Sequence, residues 1–294
     1  MTLGDALYLT RRELAAANID CATTEAELLL CHILGISRTQ LYAEPERLLA
    51  MAEMKRLEQL AQRRLLHEPI AYILRCCEFY GIEFYVDHRA LIPRPETELL
   101  VEEAVNFAHN YLSCIKPDKS GNYTIADVGT GSGAIAVALA LALAHAKIYA
   151  TDISVFALEV ANINRRRHKV DNRVELLQGN LLEPVPEPVD MVVANLPYIA
   201  NCELQALSPE IADFEPMLAI TGGSDGLDKI RPFLGQLPGR LLPEGCLLLE
   251  IGLGQHEAVT SMIKSYFPKT QVELLPDLSG INRVIKATLG CECA

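Results

Sequence analysis

The sequence predicts an α/β protein in which a doubly wound parallel sheet carries the chemistry and a small helical domain precedes it. Three observations carry that prediction. From residue 124 onward, short apolar β-prone runs alternate with helical stretches, the pattern of a parallel sheet with right-handed crossovers. The first of those runs ends in a glycine turn, Asp127-Val128-Gly129-Thr130-Gly131-Ser132-Gly133. Residues 1 to about 73 show helical spacing throughout. At 294 residues the chain is long enough to hold two domains.

Taken in order, Leu3, Ala6, Leu7 and Leu14, then Ala26, Leu28, Leu29, Leu30 and Ile33, recur on helical faces. Thr23-Thr24-Glu25-Ala26-Glu27 reads as a helix start, with a hydroxyl cap and acids in the first turn. Residues 51–66 form another amphipathic segment that ends near Glu68-Pro69. These segments set a helical domain over residues 1–75.

In the connector, residues 76–92, Phe79-Tyr80-Gly81-Ile82 and Phe84-Tyr85-Val86 are two β-prone runs around a glycine, a hairpin signal. That hairpin serves as a packing bridge, a substrate-contacting surface, or both. The third region, 93–294, opens on Ile92-Pro93-Arg94-Pro95-Glu96-Thr97-Glu98, where proline and acids mark a helix start. Strands follow over 124–128, 147–151, 174–178, 191–194 and 246–251. Residues 271–275 and 283–288, separated by Pro276-Asp277-Leu278-Ser279-Gly280, close the domain as a hairpin.

Composition narrows the function classes. Lys and Arg number 26 against 38 Asp and Glu, a net charge of −12 with pI near 5.1. That balance does not support a broad nucleic-acid footprint, and no direct nucleic-acid partner is expected. The densest basic cluster, Arg165-Arg166-Arg167-His168-Lys169, reads as a solvated helix end. Nine cysteines, an odd number with no C-x-x-C pair, suit reduced thiols in a cytoplasmic protein better than disulfides or zinc. The longest apolar run, Ala134 to Ala144, falls well short of the roughly 20 residues that cross a bilayer. No membrane association and a monomeric state are the expectations.

The glycine turn suits a nucleotide-like cofactor, because Gly129, Gly131 and Gly133 let backbone approach a ligand at the carboxyl end of a strand. The spacing Gly129-x-Gly131-x-x-Ala134 also satisfies the dinucleotide fingerprint, so NAD stays open on this evidence. Asp152, 23 residues beyond Gly129, is placed to accept from ribose hydroxyls or to cap the next helix. Asn180-Leu181 follows the third strand, where an amide and an apolar side chain either frame an adenine or form an ordinary loop. Asp127, Thr130 and Ser132 complete the candidate cofactor set with Gly129, Gly131, Gly133, Asp152, Asn180, Leu181 and Asn195.

What separates the two cofactors is Asn195-Leu196-Pro197-Tyr198, closing the apolar run Met191-Val192-Val193-Ala194. Hydride transfer has no use for it. Methylation of a planar amide or aromatic amine does, because such a nitrogen has its lone pair delocalised and must be oriented. The Asn195 side-chain oxygen and the Leu196 carbonyl can each accept one N–H, while Tyr198 stacks on the planar group. Orientation of that kind is worth ~7–11 kcal/mol in well-aligned systems and requires no metal. Asn195, Leu196, Pro197 and Tyr198 are therefore the candidate catalytic and substrate-binding residues, with S-adenosylmethionine (SAM) as donor.

With these residues in place, the chain resembles the HemK/PrmC-type protein-glutamine N5-methyltransferases, which act on the Gly-Gly-Gln loop of peptide chain release factors. The resemblance spans nearly all of the chain. It rests on Glu68-Pro69-Ile70-Ala71-Tyr72-Ile73, Phe79 through Glu98, Asp127–Gly133, Asn195–Tyr198, Phe214-Glu215-Pro216, Gly222-Gly223-Ser224-Asp225-Gly226-Leu227 and Asp277-x-x-Gly280-x-x-Arg283. The Ile-Pro-Arg-Pro segment is its most specific part. It implies a Rossmann-like SAM-dependent methyltransferase domain and an N-terminal helical domain that helps dock the release factor. It also implies a cofactor pocket lined by Gly129–Gly133, Asp152, Leu181 and Asn195, and a glutamine amide held by Asn195–Tyr198.

Three positions depart from the family pattern: Leu196 stands for a proline, Asn180 for an acid and Arg75 for a glycine. Leu196 keeps the backbone carbonyl, and Pro197 still restrains its conformation. Two other readings remain at this stage. Asn-Leu-Pro-Tyr is also typical of ribosomal RNA dimethyladenosine transferases, so an N6-adenine methyltransferase acting on RNA or DNA is one. A non-catalytic SAM-binding partner of translation is the other.

Overall fold

The computed structural model describes residues 1–112 and 123–290. The chain divides into two compact units, Met1–Cys76 with Ser208–Phe214, and Cys77–Leu207 with Glu215–Ala294.

The first unit is helical: α1 (Leu3–Ala16), α2 (Ala22–Leu34), α3 (Arg38–Ala43), α4 (Met51–Leu65) and α5 (Ile70–Leu74). Two of these helices start on reciprocal caps, Thr2 with Asp5 on α1 and Ser37 with Gln40 on α3, which satisfy free amides of the first turn. The expected start of α2 at Thr23-Thr24 needs correction. That helix begins at Ala22 after Cys21, with no side-chain cap, so both threonines lie inside the first turn. Glu25 is buried there and pairs with the buried Arg64 of α4, which also binds Glu210. The packed core of Leu3, Leu14, Leu29, Leu30, Leu41 and Leu57 follows the helical spacing of the sequence.

In the second unit, β1 (Cys77–Phe79) and β2 (Ile82–Phe84) form the hairpin. It ends earlier than the aromatic pattern suggested. Tyr80 and Gly81 take φ of 54° and 69°, the turn geometry that matches strand twist, so pairing closes on Phe79 and Ile82 and leaves Tyr85 and Val86 outside. Tyr85 instead gives its amide to Asn164.

The expected doubly wound sheet has seven strands: β3 (Thr124–Val128), β4 (Lys147–Asp152), β5 (Val174–Gln178), β6 (Val189–Ala194), β7 (Leu241–Glu250), β8 (Gln271–Pro276) and β9 (Asn282–Thr288). Their order is β5-β4-β3-β6-β7-β9-β8. The first five run parallel, and the closing hairpin adds β9 antiparallel to β7, with β8 outermost. Alternate residues point to opposite faces. Ile125, Ile148, Met191, Val193 and Leu248 join one core with α6 (Glu98–Phe107) and α7 (Ala134–Ala142). Ala126, Val128, Val192, Leu247 and Leu249 join the other with α10 (Ile230–Gln236) and α11 (His256–Tyr266). The apolar run beginning at Ala134 is thus a buried helix against the sheet. Between these, α8 (Val155–Arg167) follows β4, and α9 (Pro209–Phe214) belongs to the first unit.

The basic cluster ends α8. Arg165 donates to the Val174 carbonyl, while Arg167 pairs with Glu83. No helix among the described residues is long and apolar enough to cross a membrane. Cys77 is a free thiol.

Candidate active site

Strand order reverses at β3, whose neighbours β4 and β6 lead to opposite edges, and ligands of such sheets bind beyond the carboxyl ends at that point. A cleft with an open mouth lies there. Its lining includes Gly129, Gly131, Asp152, Asn180, Leu181, Asn195, Leu196 and Pro197. These eight come from the predicted set and are gathered from the ends of four strands. Arg89, Ala90 and Leu91 close one side, and Pro216, Leu218, Ala219 and Lys229 another.

The glycine turn is held from below. Gly129 and Thr130 both donate to the Thr151 carbonyl at 2.9 Å, and Gly131 donates to Asp152 Oδ2 at 2.9 Å. A Cβ on Gly129 would sit 3.1 Å from Leu196 Cδ2, so the absent side chain lets the turn and the Asn-Leu-Pro-Tyr segment close together. Asp127, Thr130, Ser132 and Gly133 are not part of the cleft lining. Asp127 is fully buried and accepts from Thr130 Oγ1 at 2.6 Å and the Ala136 amide at 3.1 Å. Burial pushes its carboxyl up to about 7, against those two hydrogen bonds. Its Oδ1 has no hydrogen-bond partner among the described residues. These residues build the turn.

Asp152 is half-buried and receives the amides of Gly131 on one oxygen and Ser154 on the other. Burial raises its carboxyl, and those amides oppose the shift. The cap of α8 is Ser154, so Asp152 braces the turn and is not the helix cap itself. Each oxygen keeps a lone pair for a hydroxyl donor. Leu181 has φ of 57°, an uncommon backbone for leucine, and its carbonyl is held by Thr151 Oγ1 at 2.8 Å. Asn180 is exposed and donates to Glu183 at 3.0 Å. A cleft with open glycine backbone, one carboxylate and apolar walls at Ile153, Ala157, Leu181 and Leu196 fits a ligand with sugar hydroxyls and a flat ring.

Asn195 is half-buried at the end of β6. Its Nδ2 donates to Thr97 Oγ1 at 3.0 Å, and Thr97 in turn donates to Glu250 Oε2 at 2.7 Å. Asn195 Oδ1 and the Leu196 carbonyl take no hydrogen bond from any described residue. Tyr198 is not in the cleft lining; its hydroxyl donates to Glu250 Oε1 at 3.1 Å and its carbonyl accepts from Gln255 Nε2 at 2.9 Å. Burial raises the Tyr198 hydroxyl, and the neighbouring Glu250 adds to the shift. The Ile-Pro-Arg-Pro segment is tied to Phe214-Glu215-Pro216 by Arg94 and the Ile92 amide, both on Glu215.

Sequence reasoning did not single out Thr97, Glu250 or Gln255. Thr97 sat inside a segment read as a helix start. Glu250 had a signal: an acid ending the apolar run Cys246-Leu247-Leu248-Leu249, only 1% exposed, must have partners.

Comparison with known proteins adds the following. The family model described as the PrmC N-terminal domain matches residues 5–74, and that of ribosomal protein L11 methyltransferase (PrmA) matches residues 110–216. The chain is 38% identical over 293 residues to the release factor glutamine methyltransferase of Geobacter sulfurreducens, covering 98% of this chain and 97% of that protein. It is 40% identical over 288 residues to the release factor glutamine methyltransferase of Moorella thermoacetica, covering 98% of each. The solved hMettl16 catalytic domain, in complex with the MAT2A 3'UTR hairpin 6, is similar with a TM-score of 0.56 at 15% identity. It covers 83% of this chain and 84% of that one, a likeness of fold alone.

Proposed function

Since the chain belongs to the release factor glutamine methyltransferases, we propose that Asn195, Leu196, Pro197 and Tyr198 hold the substrate amide and that the cleft beside them holds the methyl donor. The protein is a SAM-dependent enzyme that methylates the glutamine side chain of a release factor. The glutamine is that of the Gly-Gly-Gln motif. Bound in the cleft, SAM supplies a methyl carbon made electrophilic by its positive sulfur. Gly129 and Gly131 offer backbone to it, Asp152 accepts from ribose hydroxyls, and Leu181 packs on the adenine beside Asn180.

The observation that carries this reading is the pair of free acceptors at one strand end, Asn195 Oδ1 and the Leu196 carbonyl. Two acceptors fix both N–H bonds of a carboxamide, which leaves the nitrogen lone pair facing the cleft. The gain is orientation of a poor nucleophile. Asp127, Thr130, Ser132 and Gly133 act one step back, by shaping the turn. An N6-adenine substrate has the same planar NH2, but the net charge of −12 gives no footprint for nucleic acid. The protein acts as a cytoplasmic monomer, and its region 1–75 docks the release factor, with residues 76–92 as connector to the methyltransferase domain 93–294.

Asn195→Ala tests the socket. It is expected to lower methyl transfer from labelled SAM to a release factor by about 100-fold or more while sparing the fold. Wild-type turnover in that variant removes the role given to Asn195. Label in ribosomal RNA with none in the release factor overturns the substrate.

A further inference from the structure

A primary amide can face either way in its site, and the two ways are opposite in chemistry. Only one presents an acceptor to a substrate N–H. In this protein the choice falls to residues outside the Asn-Leu-Pro-Tyr segment. Glu250, the last residue of β7, is 1% exposed, and Thr97 is 5% exposed. Thr97 Oγ1 gives its one hydrogen to Glu250 Oε2 at 2.7 Å, so toward Asn195 at 3.0 Å it has only lone pairs. Asn195 must then turn its NH2 to Thr97, which leaves Oδ1 as its free end. The reversed amide would set two acceptor oxygens against each other and leave a buried hydroxyl lone pair without a donor.

The same carboxylate takes the Tyr198 hydroxyl on its other oxygen at 3.1 Å. One buried acid thus fixes the first and the last residue of the tetrapeptide. Burial raises the Glu250 carboxyl; the hydroxyls of Thr97 and Tyr198 and the charge of Arg283 on β9 favour its ionised form, and Glu96 disfavours it.

We propose that Thr97 and Glu250 are positioning residues of the transfer site, setting the polarity of the Asn195 amide so that its oxygen faces the substrate. This rests on the reading of Asn195 as the acceptor for the glutamine amide. Thr97→Val keeps the shape and removes the lone pairs that hold the Asn195 NH2. Thr97→Ser keeps the hydroxyl. Glu250→Gln puts an NH2 beside one of its two partners. If that partner is Thr97, the hydroxyl turns its hydrogen to Asn195 and inverts the amide; if it is Tyr198, that hydroxyl turns from donor to acceptor and loses its charged partner.

The test uses the full chain with a release factor and SAM. It measures kcat, KM for the release factor, the SAM dissociation constant by calorimetry, and the melting temperature. Thr97→Val and Glu250→Gln are expected to lower kcat by about 10- to 100-fold with SAM affinity changed less than about threefold, and Thr97→Ser to restore kcat to within about threefold. In an Asn195→Ala background, Thr97→Val is expected to cost nothing further, because the two act as a unit. Wild-type kcat in both Thr97→Val and Glu250→Gln, with Asn195→Ala inactive, overturns the relay and leaves the socket intact. Wild-type kcat in Asn195→Ala overturns the socket itself. Parallel losses of SAM affinity, melting temperature and kcat, or no rescue by Thr97→Ser, mark a structural role and also overturn the proposal.

Discussion

Gly226→Ala places one methyl against the Tyr198 carbonyl, behind the proposed substrate socket. Gly226 has φ of 79°, and a left-handed backbone costs a residue with a Cβ roughly 1–2 kcal/mol. The new carbon would lie 2.3 Å from the Tyr198 carbonyl oxygen and 2.4 Å from Gln255 Nε2. Those atoms are the two ends of a 2.9 Å hydrogen bond, so the methyl cannot be admitted without parting them. Losing that bond adds about 0.5–1.5 kcal/mol, for a total near 2–3 kcal/mol. In a domain of this size the loss lowers the melting temperature on the order of 4–12 °C. The Tyr198 carbonyl must move by most of an ångström, and misplacement by about 1 Å can cost roughly 100-fold in rate. Gly226 does not line the cleft, so SAM affinity is expected to hold. Differential scanning calorimetry, SAM titration and steady-state transfer to a release factor read the three effects separately. A variant with the parent's melting temperature and kcat would refute the bracing of Tyr198 through Gln255.

Two further outcomes follow from buried charge. Arg64→Met leaves Glu25 buried without its countercharge and is expected to destabilise the helical unit by about 3–5 kcal/mol, read by urea unfolding. Asp127 has its folded carboxyl raised from 3.8 to about 7, so between those values the folded state holds a proton that the unfolded state has lost. Stability from this group therefore falls as pH rises from about 4 to about 7, and Asp127→Asn is expected to flatten that part of the curve. Identical pH–stability profiles for variant and parent would sink this assignment.

Much of the sheet was legible in the sequence because its signal is local. Strands 124–128 and 174–178 need only a few apolar residues in a row bounded by turn formers, and the structure forms them at those bounds. The pairing of β9 between β7 and β8 was not legible, since strand order depends on contacts across the whole domain. In the cleft lining, Gly129, Asp152 and Asn195 could be read from their places at strand ends. Thr97 and Glu250 could not be paired, because a hydrogen bond between residues 97 and 250 leaves no trace in spacing. The start of α2 was misplaced because Thr23-Thr24 satisfies a capping rule locally, while burial of Ala22 and Glu25 goes with a helix that already begins at Ala22.

Ser208–Phe214, the short stretch that follows the transfer socket, is counted with the helical unit and carries Glu210, the second partner of Arg64. The polypeptide therefore passes from one unit to the other three times. A cut after residue 76 would not release an intact module, for it would strand seven residues that belong with the piece removed. Exchanging the helical unit between related enzymes has to carry both stretches together.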